Sequence, residues 1–454
     1  MAEEAGERMG AMGTSGVIDT AVQEDEGARP TALLPVTQLV RISLYWLGLT
    51  AIDAAVGLFI TNRLEFDHLV PTDDVGTSLF RISFGAAIVG MLIQPTVGYL
   101  SDFTVSRWGR RKPYIVFGSL FDVVFLLGIA TGNSVLALAL FMILLSVSTN
   151  IARGPFQGYV PDLVAEPQVG LASGMVGLMQ IVGNVTGFLL VSLSVALGVM
   201  PLSLVAIALI ELVTMLSVVL RVGKGLPPKP RRGKSWTTIA RETWATDILK
   251  ERSYVWLLVS RLLFLTAGAL LTNFVVIYLS RSFGMGKESA NTMDIVILVV
   301  VVIANAAAIL PASRLSDRFG RKPIIFAACG IAAAGAAVIA VTGSIPVALV
   351  GAAFFGAASG SFLAVDWALM TDIIPRASAG RYMGMSNVAT GSSTPLAVAI
   401  GGVVLDFVTR AGHEDLSARI VFILAVAFYA AAAVTLRRVV EPRRDRLAAL
   451  GAAA

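Results

Sequence analysis

Apolar residues run along this chain in long stretches, each stopped by charges, prolines or glycines. A bilayer's hydrocarbon core takes about 20 mostly apolar residues per helix. On that measure the pattern predicts twelve membrane-spanning helices, at 41–63, 76–100, 113–131, 135–154, 170–197, 200–221, 253–281, 287–311, 323–342, 345–370, 379–406 and 416–436. Residues 1–38 are polar and rich in Gly, Ala, Glu and Asp, so they are expected to be a disordered tail. No short apolar segment with a cleavage site follows the start, so the tail does not read as a signal peptide. A polar stretch, 222–252, separates the sixth run from the seventh. It carries Pro227, Pro228, Pro230 and the run Arg231-Arg232-Gly233-Lys234, and its middle, Trp236 to Lys250, predicts an amphipathic surface helix. The chain thus divides into an N-terminal six-helix bundle (39–221), a linker (222–252), a C-terminal six-helix bundle (253–438) and a second tail (439–454).

The two bundles repeat. Arg111-Lys112-Pro113 recurs 210 residues later as Arg321-Lys322-Pro323, and the same offset relates Asp162 to Asp372, Gly170 to Gly380 and Gly174 to Gly384. Positive charge sorts by loop. The tails and even-numbered loops hold 27 of the 35 Lys and Arg residues, the odd-numbered loops hold 5, and Arg81, Arg153 and Arg261 lie within spans. The positive-inside rule then places both termini in the cytoplasm.

Composition agrees with this layout and excludes several functions. The chain is 56% hydrophobic and only 14% charged, with a mean hydropathy of +0.79, whereas soluble domains run near a quarter charged. One cysteine, Cys329, leaves no disulfide within the chain, and with only His68 and His413 there is no metal cage or cofactor site to expect. No phosphate loop and no Gly-x-Ser-x-Gly are present, so neither an enzyme nor an ATP-driven pump is expected. The net charge of +5 does not indicate a nucleic-acid partner, because the basic residues line the membrane face.

Two loops carry related motifs. Gly98-Tyr-Leu-Ser-Asp102 precedes Arg107-Trp-Gly109-Arg110-Arg111-Lys112-Pro113, and Ser313-Arg-Leu-Ser-Asp317 precedes Arg318-Phe-Gly320-Arg321-Lys322-Pro323. Each is expected to form a tight turn in which glycine takes a backbone conformation other residues resist. Proline starts the next helix, and the acid pairs with the arginines or a helix N-terminus. These loops resemble the signature of the major facilitator superfamily, and the twelve-span pattern extends the resemblance over nearly the whole chain. The longer first copy resembles the sucrose carriers and the neighbouring glycoside–cation symporters. So does Gly154-Pro155-Phe-Gln157-Gly-Tyr-Val-Pro-Asp162-Leu, which resembles a motif of those carriers. The second half's Ala364-Val-Asp366-Trp367-Ala-Leu-Met-Thr-Asp372 resembles a stretch of bacterial relatives. The chain departs from the carriers at Gln157, where they have arginine, and at Ser146, where they have an acid. The resemblance implies a fold of two pseudo-symmetric bundles around a midplane site. It also implies a latch between the halves, inherited by Asp102, Arg110, Arg111, Asp317, Arg321, Asp162 and Asp372.

Charges within hydrocarbon are costly and mark pathway candidates. Asp53, Asp122 and Asp366 are candidate proton-coupling groups, with Arg153 and Arg261 as their partners and as candidate contacts to the solute. In the resembled family, spans one, four, seven and ten line the cavity, which singles out Asp53, Arg153, Arg261 and Asp366 and predicts that all four face it. Asn150, Gln157, Asn273 and Asn387 are candidate hydrogen-bonding contacts to a solute, and Trp367 a candidate aromatic platform. Glu211 and Asp294 are also intramembrane acids, with Asp294 placed near the outer interface. The expected function is proton symport of a small polar solute, a sugar or glycoside, across the cytoplasmic membrane by a monomer. A proton-coupled exporter and a non-transporting receptor or assembly factor are the alternatives.

Overall fold

The computed structural model describes residues 32–165, 168–231, 233–242, 251–373 and 379–440. Twelve helices long and apolar enough to cross a membrane account for most of them. They are α1 (Val36–Glu65), α2 (Val75–Ser101), α3 (Lys112–Thr131), α4 (Val135–Gln157), α5 (Val169–Ala196) and α6 (Pro201–Arg221) in the first half. The second half holds α7 (Arg252–Phe283), α8 (Lys287–Phe319), α9 (Arg321–Val341), α10 (Ile345–Ile373), α11 (Ala379–Arg410) and α12 (Glu414–Leu436). The tail residues 1–31 and 441–454 lie outside the described residues. So does 243–250, the second part of the expected surface helix, whose first part forms as Trp236–Glu242 beside α2.

Helix ends follow local chemistry. Pro113 and Pro201 sit in the first turns of α3 and α6, where a missing N–H costs nothing. Ser134 caps α4 by accepting the Ala137 amide at 3.2 Å. Gly109 and Gly320 have φ of +97° and +95°, so both motif loops use the conformational freedom expected of their glycines. Two boundaries differ from expectation. α1 begins at Val36, inside the segment expected to be disordered. The second motif is not a tight turn over Ser313–Pro323, because α8 runs through Pro311 to Phe319 and turns only at Gly320. A proline inside a helix removes one backbone bond, a tolerable loss here, where Pro311 lies on the exposed face of the helix.

Helix neighbours repeat. In the first half α1 packs against α5 and α6, α2 against α4, and α3 against α4 and α6; in the second half α7 packs against α11 and α12, α8 against α10, and α9 against α10 and α12. The halves meet where α2 packs on α11 and α5 on α8, a pairing that is itself unchanged by exchanging the halves.

The α2–α11 contact is backbone to backbone. A Cβ on Gly76 would stand 2.1 Å from the Gly402 carbonyl oxygen, and one on Gly402 would stand 2.3 Å from that of Gly76. Gly183 and Gly187, by contrast, pack on α1 within their own half, against the backbone of Leu47 and Ala51. Gly402→Val is expected to push α2 and α11 apart. The measurement is the distance between spin labels at His68 and His413, exposed in the two halves, which should lengthen; the buried Cys329 should leave such labelling specific.

Candidate functional site

Along the middle of α1, residues 51 to 56 are all buried except Asp53, whose side chain is 51% exposed. Gly57, one turn further on, meets the Asn273 amide oxygen of α7 at 3.8 Å from its would-be Cβ. Asp53 therefore looks toward the second half. Arg153 of α4 donates Nη2–H to Asp53 at 2.6 Å and to the Leu49 carbonyl at 3.3 Å. Its side chain is only 18% exposed, so the pair presents its acid to open space and its base to protein.

The corresponding pair of the second half is sealed. Arg261 of α7 donates Nη1–H to Asp366 of α10, and their side chains are 5% and 2% exposed. Arg261 Nε also donates to the Thr390 hydroxyl of α11 at 3.1 Å, and the guanidinium lies 5.4 Å from the Trp367 ring centre. Among the four charges predicted to face one cavity, Asp53 is thus the open one, and the Arg261–Asp366 pair ties three helices together. Trp367 is itself 42% exposed.

The amide candidates scatter. Asn150 donates to the Ser146 carbonyl and packs against Gly90, in the seam between α2 and α4. Ser146, where the resembled carriers have an acid, donates to the Ala86 carbonyl of α2. Asn273 bonds within α7, to Ala269, at the contact with α1. Gln157 closes α4 at its end. The side chains of Asn387 and Asp372 lie outside the described residues.

Asp122 belongs to a different cluster. It is fully buried on α3, accepts hydrogen bonds from Ser148 and, at 2.8 Å, Thr149, and faces the carboxyl of Glu211 on α6. Tyr45 donates to Glu211 at 3.4 Å and shares a 2.6 Å hydrogen bond with Ser119. Asp122 Oδ2 and Glu211 Oε2 each lack a donor. Two carboxylates in contact in low dielectric cannot both stay ionised, and one proton between them would satisfy both oxygens. This cluster is buried inside the first half, and the Arg153 guanidinium that pairs with Asp53 also acts on Asp122 and Tyr45.

The first motif loop forms a compact ion network. Asp162 accepts from Arg110 and Arg111, both at 2.7 Å; Asp102 lies 3.2 Å from Arg111, 3.5 Å from Arg110 and 3.3 Å from Lys229; and Arg111 donates to the Pro155 carbonyl. These residues join α2, α3, α4 and the linker. The first-copy residues of the expected latch thus bind one another and the linker, and none of their described ion-pair partners belongs to the second half. In the second copy Asp317 is exposed and lies within α8, and Arg321 opens α9.

Among the described residues, the polar contacts that cross between halves gather at the face opposite the chain termini, apart from the Ser392 hydroxyl of α11, which donates to Met91 Sδ of α2 at 3.3 Å. Asn62 and Asn291 exchange hydrogen bonds at 3.1 and 2.7 Å and are fully buried. Arg281 grips Glu65 with two bonds, at 3.0 and 2.8 Å, and reaches Thr409 and the Thr72 carbonyl. Asp406 of α11 accepts the amides of Gly76 and Thr77, capping α2 across the seam, where a helix N-terminus favours an acid. Lys287 pairs with Asp67, and Arg410 lies near Asp73 and Asp74. Sequence reading missed this seal. Its residues look like ordinary span ends, and only the docking of the halves brings them together.

Known proteins share this design. The model of the Major Facilitator Superfamily matches residues 42–302 and 257–453. The sucrose transport protein SUC3 of Arabidopsis thaliana is 31% identical over 123 residues, which cover 22% of this chain and 21% of that protein. The general alpha-glucoside permease of Schizosaccharomyces pombe is 32% identical over 172 residues, covering 33% and 30%. The chain thus matches less than a third of the length of either relative. Among solved structures, a mutant of the nucleoside transporter NupG superposes with a TM-score of 0.68 at 16% identity, over 89% of this chain and 99% of that one. A D-xylose-proton symporter gives 0.59 at 17% identity, over 87% and 97%. These likenesses show the shared fold. With twelve apolar helices and a family match spanning both halves, the chain belongs to the Major Facilitator Superfamily, whose members are multi-pass membrane transporters and not enzymes.

Proposed function

We propose that this transporter takes up a small polar solute, a sugar or glycoside, together with protons, by alternating access. The observation that carries the reading is the Asp53–Arg153 pair. A carboxylate bonded to an arginine at 2.6 Å while half-exposed has two stable states, paired and proton-bound. Protonation releases Arg153 and so links a proton to whatever the arginine next contacts. The solute class follows from the relatives, a sucrose transport protein and an alpha-glucoside permease. Asn273, Gln157, Asn150, Asn387 and Trp367 are the proposed contacts, with Asn273 favoured by its place at the α1–α7 contact. In this reading residues 39–221 and 253–438 rock as units in the cytoplasmic membrane, with both termini inside and the protein monomeric. The sealed distal face then makes this a state closed to the outside.

Asp53→Asn tests the coupling. In proteoliposomes, accumulation of labelled disaccharide driven by an inward proton gradient is expected to fall by at least ten-fold. Exchange of internal for external sugar, which needs no net proton movement, should persist. Undiminished gradient-driven accumulation would remove Asp53 from the coupling mechanism. Absence of sugar flux in the unmutated protein, with raised drug tolerance on overexpression, would replace uptake by export.

A further inference from the structure

Asp294 is an acid that neither the proposed transport pathway nor the distal seal uses. The sequence places it near the outer interface, yet it is 5% exposed. It borders a cavity of ≈ 70 Å³, several times what one water molecule requires. Phe188 of α5, Tyr278 of α7, Phe355 of α10 and Phe422 of α12 supply the aromatic part of the wall. The other polar groups there are already engaged. The Tyr278 hydroxyl donates to the Ile339 carbonyl at 2.7 Å, and the Thr272 hydroxyl donates to the Gly268 carbonyl at 3.2 Å. Arg419, beside the Tyr278 ring, gives one guanidinium nitrogen to the carbonyls of Ala340 and Thr342. Asp294 itself has no hydrogen bond or ion pair among the described residues.

We propose that this cavity binds a small lipophilic cation, a protonated amine carrying one aromatic or alkyl group. A carboxylate in an apolar wall needs a cation or a proton as counter-charge. Aromatic faces add attraction for an ammonium group, and the rest of the wall suits a hydrocarbon tail. A sugar is excluded, because its hydroxyls would find one acceptor and no free donor. The site is therefore distinct from that of the transported solute and does not depend on the nature of that solute. Phe188 belongs to the first half and the other lining residues to the second. Asp294 also sits one helical turn from Asn291, which pairs with Asn62 across the seam. An occupant would bridge the halves and favour the closed distal face.

The test is binding of tritiated phenethylamine to the full chain in lipid nanodiscs. Saturable binding is expected, displaced by unlabelled phenethylamine and at least ten-fold less well by its neutral analogue 3-phenylpropan-1-ol. Asp294→Asn, close to isosteric, should weaken phenethylamine binding at least ten-fold while leaving disaccharide uptake in place. Absence of saturable binding, equal displacement by the alcohol, or unchanged affinity in the asparagine variant would each overturn the proposal. The comparison of amine with alcohol needs no variant, so the proposal stays testable if Asp294→Asn does not fold.

Discussion

Arg281→Ala is expected to shift the protein away from its closed distal face by a factor of a hundred or more. The Arg281 and Glu65 side chains are 1% and 5% exposed. Arg281 also holds Thr409 and the Thr72 carbonyl, so one guanidinium joins α1, the turn before α2, and α11. Removing one partner of a buried ion pair costs about 3–5 kcal/mol, because the survivor is left as an uncompensated charge. That cost falls on the closed state alone, since Glu65 meets water once the halves part. At about 1.4 kcal/mol per ten-fold, the equilibrium moves by roughly two to three orders of magnitude. Spin labels at His68 and His413 should report a longer distance, and uptake should fall because the cycle must pass through the closed state. Lys287→Ala is the matched control. The Lys287 and Asp67 side chains are 28% and 27% exposed, and an exposed pair is worth about 0–1 kcal/mol. An unchanged label distance in Arg281→Ala would show that the seal rests on packing, with Gly76 and Gly402 at its centre.

Much of this molecule is legible in its sequence for physical reasons that can be named. The twelve spans are legible because hydrocarbon demands continuous apolar runs, and the motif turns because Gly109 and Gly320 must bend where other residues resist. The Asp53–Arg153 and Arg261–Asp366 pairs are half-legible. A charge in an apolar run must find a partner, so each residue stands out, but exposure does not follow. Nothing in the sequence says that Asp53 is half-exposed while Asp366 is sealed. The distal seal is not legible. Glu65 and Arg281 are 216 residues apart, and each reads as a charge marking the end of a span. Asn62 and Asn291 are amides near span ends, an ordinary place for them. The loop network shows the converse. The motif is plain, but which carboxylate each arginine holds depends on where the Asp162 segment folds back, and here it folds onto α3 of its own half.

Arg261→Ala is expected to cost most of the folded protein, and a paired apolar replacement is expected to restore the fold without restoring transport. The Arg261–Asp366 pair sits at the junction of α7, α10 and α11, with Thr390 on one nitrogen and Trp367 alongside the guanidinium. Alanine leaves Asp366, 2% exposed, without a counter-charge, again at about 3–5 kcal/mol. Exchanging both partners for apolar residues of similar volume, Arg261→Met with Asp366→Leu, removes the buried charge as well as its partner. Such exchanges are often neutral or even stabilising. Thermal unfolding of the purified variants separates these effects: the single variant should melt well below the parent, and the double variant within a few degrees of it. Transport then decides what the pair is for. If it is a proton-responsive joint between helices of the second half, the double variant should keep its fold and lose at least ten-fold in gradient-driven uptake, since no titratable group remains there to sense the proton. If uptake survives in the double variant, the pair is a structural tie, and coupling rests on Asp53 and Arg153 of the first half alone.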